Sequence, residues 1–230
     1  MSSELNQLYK KIPPTGSVLD VGCFGFAQVH LANKLGVGSL HHSGVDYCDV
    51  KEELPPGYVF RKADLSKEPF PFEDDQFDLV VASHIIEHVS NPIELFAECA
   101  RVCKPGGYIY VEAPSERSLL LPGMPFERDK FFSLSFYDDP THLARPWTPQ
   151  SYYRLAKYFS CTPIKVGYVT SIGHRLLFPF RLIYALITRN GLLLELSVRG
   201  AVGWASFLVA MKPSTVKGRP EFYYYIPENR

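Results

Sequence analysis

The stretch Ser17-Val18-Leu19-Asp20-Val21-Gly22-Cys23-Phe24-Gly25-Phe26 decides the fold of this chain. An apolar run that closes on an acid and then on glycines predicts a buried strand turning into a helix. Its bend is bare enough for the backbone to approach a nucleotide-like ligand. Three further acids, Asp46, Asp64 and Asp78, each lie beside an apolar, strand-like run. Their order predicts that one edge of a doubly wound sheet carries all four.

Outward from that stretch, strand-like and helical runs alternate. Residues 17–22 are the first predicted strand and 27–35 the helix behind it, ended by Gly36 and Gly38. More strands are predicted at 40–46, at 58–64 after the Pro-Pro-Gly turn of 55–57, at 77–83 and at 108–112. Pro92 suits the first turn of a helix whose apolar residues recur at helical spacing from Ile93 to Cys103, before Lys104-Pro105-Gly106-Gly107 stops it. A helix at 148–159 and closing strands at 161–170 and 206–212 complete the pattern. Such alternation predicts an α/β architecture with a mostly parallel sheet and a ligand crevice at the carboxyl ends of its strands. Asp20, Asp46, Asp64 and Ser83 all fall at such ends.

A length of 230 residues suits one domain over 1–230. Within it, 15–115 reads as a cofactor-binding core, 114–149 as a lid or acceptor loop, and 172–203 as an apolar insertion before the last strand. The tyrosine-rich tail of 221–230 takes no assignment. Lys and Arg number 24 against 24 Asp and Glu, so no overall positive field favours a nucleic acid partner. The first ten residues lack the layout of a secretory signal, and a cytoplasmic location is expected. Five scattered cysteines, odd in number and without a Cys-x-x-Cys pair, predict reduced thiols mainly in the core.

Leu19-Asp20-Val21-Gly22-Cys23, Val45-Asp46, Ala63-Asp64-Leu65, the run Pro71 to Val80 and Arg101-Val102-Cys103-Lys104-Pro105-Gly106-Gly107 together resemble the class I S-adenosylmethionine-dependent methyltransferases of the type 11 group. The resemblance covers roughly 15–115. It implies a Rossmann-like, doubly wound seven-stranded sheet with an antiparallel last strand, and S-adenosylmethionine as cofactor. It further implies that Gly22 and Gly25 line the methionine end, that Asp46 takes the ribose hydroxyls, that Asp64 and Leu65 read the adenine edge, and that Asp20 orients the bend. A carboxylate, with two acceptor oxygens, suits paired hydroxyls. Phe24 and Phe26 depart from the pattern by standing where glycines are common, which leaves the path of the bend open. A dinucleotide-binding dehydrogenase is the competing reading, but its third glycine is missing near Val29.

The acceptor side rests on histidines. Methyl transfer to a hydroxyl needs an aligned attacking atom and a base, which histidine supplies near neutral pH. His142 in Asp139-Pro140-Thr141-His142 is the expected base, with His84 and His88 of Ser83-His84-Ile85-Ile86-Glu87-His88 in reserve. The motif around His142 resembles type 11 members encoded with polysaccharide and glycolipid pathways, in which Arg145 could pair with an anionic acceptor group. On a helix, His84, Glu87 and His88 would share one face and, with His142, offer ligands to a divalent metal. That set is similar to the metal site of small-RNA terminal 2′-O-methyltransferases, with His84 in place of a glutamate.

Residues 175–189 form an amphipathic segment, with Leu176, Leu177, Phe180, Ile183, Tyr184 and Ile187 on one side and Arg175, Arg181 and Arg189 on the other. Internal packing, a homodimer contact, a lipid-linked substrate or peripheral contact with a membrane would each use such a face. The expected function is O-directed methyl transfer to a small or lipid-linked molecule such as a sugar. A non-catalytic cofactor-binding scaffold or sensor is the alternative, and a metal-assisted RNA 2′-O-methyltransferase is disfavoured by charge neutrality.

Overall fold

The strands assemble in the order β3-β2-β1-β4-β5-β7-β6. The computed structural model describes residues 3–50, 52–119, 121 and 134–214. The strands are β1 (Ser17–Val21), β2 (His41–Asp46), β3 (Val59–Lys62), β4 (Phe77–Ser83), β5 (Cys103–Pro114), β6 (Thr162–Tyr168) and β7 (Ala205–Met211). The helices are α1 (Ser3–Tyr9), α2 (Ala27–Lys34), α3 (Pro92–Val102), α4 (Pro149–Tyr158), α5 (Ile172–Thr188) and α6 (Gly191–Val202). β3, β2, β1, β4 and β5 pair in parallel, while β7 runs antiparallel to both β5 and β6. This is the expected Rossmann-like sheet with an antiparallel last strand. The strand order reverses between β1 and β4, which is where doubly wound sheets open a ligand crevice.

Alternation along each strand feeds two cores. Val18, Leu79, Val81, Tyr110, Phe207 and Val209 face α1 and α2, packing with Leu5, Leu8, Tyr9, Leu31 and Ala32. Leu19, Val21, Val80, Ala82, Ile109, Val111 and Leu208 face the other way, under Leu95, Phe96 and Cys99 of α3 and Tyr152, Leu155 and Ala156 of α4. Burying both faces is what a parallel sheet requires. α3 starts where its sequence directs: the Asn91 side chain accepts from the Glu94 N–H at 3.3 Å, and Pro92 follows in the first turn. α4 starts likewise, with Thr148 accepting from the Ser151 N–H at 3.0 Å before Pro149.

Two expectations change. Asp78 opens β4 instead of closing it, so it lies on the opposite edge of the sheet from Asp20 and Asp46. There it accepts from the Ser17 N–H at 2.8 Å and from Lys104 Nζ at 2.7 Å, tying β1, β4 and β5 at their starts. The segment 84–88 is a turn, not a helix, because the helical cap comes later at Asn91. The expected helical insertion is a pair of helices, α5 and α6, and most of the α5 apolar side chains face outward. Residues 122–133 of the expected lid and the tail 221–230 lie outside the described residues. Of the five cysteines, Cys23, Cys99, Cys103 and Cys161 are buried and Cys48 is exposed. Among the described residues no helix is long and apolar enough to cross a membrane.

Candidate cofactor and acceptor site

β1 ends at Val21, and the chain turns at once. Gly22 has φ +78° and donates its N–H to the Val45 carbonyl at 2.9 Å, binding the bend to β2. A Cβ there would lie 3.0 Å from three atoms of the Ile85 side chain, so the β4–α3 turn sits directly on the bend. Gly25 has φ +71° with nothing within 4 Å of a built Cβ, leaving open space for a ligand. Phe26 also takes a left-handed conformation, φ 49°. Its ring is buried against Cys23 and meets Tyr58 edge-on at 5.0 Å, which holds a conformation that phenylalanine disfavours. The glycine departure at Phe26 is therefore absorbed by packing, and Phe24, 78% exposed, is free to line the cleft.

That cleft brings Phe24, Gly25, Asp46, Cys48 and Val50 together. Asp46 closes β2, and its Oδ1 accepts from the Cys48 N–H at 2.9 Å. Among the described residues its second oxygen takes no hydrogen bond. The Ala63 N–H reaches the Asp46 carbonyl at 3.0 Å, which sets Asp64 and the buried Leu65 beside it. Asp64 is not part of the cleft lining. Its Oδ2 is ion-paired with Lys67 at 2.9 Å, and its Oδ1 accepts from the Ser66 N–H at 3.0 Å. Lys67, then Ser66, hold its carboxyl below the usual carboxylate range. Asp20 is buried beneath the bend. Burial pushes its pKa up to about 8, against a hydrogen bond from the Gln28 backbone that lowers it, and the Asp46 charge adds to the rise. Ser83, the last residue of β4, stands in register with Glu112 of β5.

The expected histidines separate into two environments. His84, with φ 56°, places Nδ1 3.3 Å from Glu87 Oε1 and Nε2 3.4 Å from Glu112 Oε1. Desolvation would lower its pKa, but hydrogen bonds to Glu112 and Glu87 overcome that and raise it to about 10. His84 is thus an imidazolium at neutral pH, wedged between two carboxylates and tilted against Trp204 at 5.7 Å. It has no free nitrogen to act as a base. Glu112 is a partner the sequence reading passed over, although it sits at the carboxyl end of an apolar strand-like run.

The His88 and His142 rings lie 4.8 Å apart, tilted at 55° to each other. They meet because the Leu143 and Ala144 N–H groups both donate to the Glu87 carbonyl, at 2.8 and 3.0 Å, docking the 139–144 segment on the β4–α3 turn. His142 Nδ1 lies 2.7 Å from the Phe136 carbonyl, and His88 Nδ1 lies 3.3 Å from the Thr141 carbonyl. A carbonyl only accepts, so each Nδ1 carries a proton, and Nε2 is the nitrogen of each ring that a base or a metal site would use. Thr141 Oγ1 donates to Asp139 Oδ1 at 2.6 Å, and Asp139 Oδ2 lies 3.8 Å from His142 Nε2. Glu87, His88 and His142 each offer one ligand atom, and these atoms lie within 4.8 Å of one another. Glu87 is 1% exposed, and its Oε2 is buried without a hydrogen-bond partner among the described residues. His84 is outside this group, so the expected four-residue metal set reduces to three. Arg145 lies over the Trp147 ring at 5.4 Å.

Residues 19–111 match the family model described as Methyltransferase domain. Over those residues, which are less than half of the chain, it is similar to a methyltransferase domain. Among curated relatives, the phthiotriol/phenolphthiotriol dimycocerosates methyltransferase 1 of Mycobacterium ulcerans is 37% identical over 101 residues, 40% of this chain and 35% of that one. The ubiquinone biosynthesis O-methyltransferase of Photobacterium profundum is 30% identical over 105 residues, 40% of this chain and 41% of that one. The chain therefore spans less than half the length of the curated relatives it matches. A SAM-dependent methyltransferase from Archaeoglobus fulgidus superposes with TM-score 0.59 at 21% identity, covering 91% of this chain and 92% of that one. The cyclase SpnF superposes nearly as well, with TM-score 0.57 at 18% identity, covering 92% and 81%. Both likenesses concern the fold. A protein named as a cyclase shares this fold, so the fold alone does not fix the chemistry.

Proposed function

We propose that this chain transfers the methyl group of S-adenosylmethionine to a hydroxyl of a small or lipid-linked molecule such as a sugar. The carrying observation is that Asp46, with one oxygen unbonded among the described residues, shares a cleft with the bare Gly25 bend where the sheet order reverses. These residues fit the nucleoside: Asp46 accepts from the ribose hydroxyls, Asp64 and Leu65 meet the adenine once Lys67 swings aside, and Gly22 and Gly25 admit the methionine end. Asp20 fixes the bend, and Ser83 stands at its rim. The cofactor supplies a methyl group already activated on a sulfonium. His142 takes the acceptor proton at Nε2, its ring held by the Phe136 carbonyl, and Asp139 steadies the imidazolium that forms. His88 is the neighbouring reserve. O-methylation is supported by the relative named for ubiquinone biosynthesis, and a dedicated nucleic acid acceptor is disfavoured by a net charge of +0.

A second reading of the same cluster is favoured by the partnerless Glu87 Oε2. A buried carboxylate oxygen without a donor is costly, and a divalent cation between Glu87, His88 and His142 would satisfy it. The acceptor hydroxyl would then be acidified by coordination at the open position rather than by His142. Calorimetry with S-adenosylhomocysteine tests the cofactor site: the protein binds it, and Asp46→Ala weakens binding at least tenfold. Undiminished binding by that variant would remove the ribose assignment. Elemental analysis of the purified protein, with turnover before and after chelation, separates base from metal. Binding without transfer to any hydroxyl acceptor would favour a sensor or scaffold.

A further inference from the structure

α5 turns its apolar arc to solvent. Ile172, Leu176, Phe180, Ile183 and Ile187 lie on one side of the helical wheel and are 78%, 70%, 71%, 57% and 76% exposed. The opposite side carries Ala185, the one buried residue of α5, and α5 packs along α6. At 100° per residue, the exposed Leu177 and Tyr184 extend the arc towards Arg181 on one side, Arg175 lies beyond the other edge with its Nε donating to the Ala201 carbonyl at 3.2 Å, and Arg189 follows the last turn. α5 contains no acid. The acid of α6, Glu195, is buried and paired with Arg199 at 2.6 Å, so it offers nothing to an outside cation.

Contiguous exposed apolar surface of this size marks an interaction face. We propose that α5 docks in the interface of an anionic phospholipid membrane, its arc entering the acyl boundary while Arg175, Arg181 and Arg189 meet headgroup phosphates. Charge decides the occupant. An apolar face edged by arginines complements a layer that is apolar inside and negative at its rim. A second copy fits less well, because pairing α5 with its symmetry mate would set arginine edges together with no acid on either helix to pair them. At 17 residues with two arginines inside it, α5 lies in the interface and does not span. This proposal stands apart from the methyl-transfer reading, because its readout is vesicle binding and not turnover.

Flotation with vesicles of phosphatidylcholine alone and of phosphatidylcholine mixed with phosphatidylglycerol tests it. The full chain is expected to float with the anionic vesicles, more weakly as salt rises, and little with the zwitterionic ones. Arg181→Gln with Arg189→Gln should weaken anionic binding by about 25-fold, roughly fivefold per arginine. Phe180→Glu with Ile183→Glu should abolish it, with an unchanged circular dichroism melt. Phe180→Trp keeps the face apolar, and its emission should shift to the blue on anionic vesicles. The proposal is overturned if the wild type stays unbound on both vesicles, or if the double glutamate variant floats like the wild type. A dimer in sedimentation that those glutamates split, without flotation, overturns it equally and assigns the face to a second copy.

Discussion

Replacing Asp20 with asparagine should change how stability depends on pH, and the size of the change follows from its burial. In the folded chain the carboxyl titrates at about 8, against 3.8 for an ordinary aspartate, with desolvation the leading cause. The folded pKa is raised, so between about pH 4 and pH 8 the folded state holds a proton that the unfolded state has released. Stability then falls as pH rises, by about 1.4 kcal/mol per unit at most. His42 works against this at the lower end. Burial, aided by His41, depresses its pKa from 6.5 to about 4, so its contribution is present above 6.5 and lost as pH falls towards 4. His84 adds a second decline at the upper end, since its raised pKa gives stability that is full below 6.5 and lost towards pH 10. The wild-type curve is therefore a sum of opposing slopes, whereas the difference between wild type and Asp20→Asn isolates the one carboxyl. Urea unfolding of both proteins at steps from about pH 5 to pH 7 should show that difference moving by up to roughly 3 kcal/mol in favour of the variant, less if water relaxes around the carboxylate. Parallel curves would refute the protonated Asp20 and with it the account of the bend as resting on a neutral side chain.

The remaining predictions are local. Asp46→Ala should cost about 10–100-fold in S-adenosylhomocysteine affinity, the loss expected for hydrogen bonds to a charged group, measured by calorimetry. His142→Ala should lower turnover by about 10²–10⁴-fold if Nε2 is the base. If the same loss is produced in the wild type by chelation and reversed by added zinc, the cluster acts through a metal instead. Gly22→Ala and Gly25→Ala both place a side chain in left-handed backbone at a cost of about 1–2 kcal/mol. The first also forces Ile85 aside, so its urea midpoint should drop further than that of the second.

The cofactor half of this site is readable from sequence because it is built from local features. β1 and β4 are largely apolar runs, and the acids Asp20 and Asp46 mark the carboxyl ends of β1 and β2. Asp78 shows the limit of the rule: it precedes Leu79-Val80-Val81-Ala82, and an acid before a run belongs to the other edge. The distinction was present in the letters. So was α1, where Leu5, Leu8 and Tyr9 keep helical spacing and bury one side. The α5 wheel gives an amphipathic helix but not its direction, since whether an apolar arc faces inward depends on what the rest of the chain brings to cover it.

The acceptor half was only partly legible, for a different physical reason. His84 and His88 are four residues apart and read as equivalent. Their chemistry diverges because Glu112 arrives beside one from β5, while Thr141 and His142 arrive beside the other from the 139–144 segment. Two main-chain bonds to a single carbonyl, that of Glu87, bring in the second set. Backbone donors carry no residue signature, so no pattern in the sequence announces that docking. The three histidines consequently divide the labour: His84 is committed to holding Glu87 and Glu112 in place as a cation. His88 and His142 instead give Nδ1 to main-chain carbonyls, with the Asp139 carboxylate 3.8 Å from His142 Nε2. Three chemically identical side chains thus fall into two environments, one wedged between two carboxylates and the other set by backbone acceptors, because of what distant segments bring beside them.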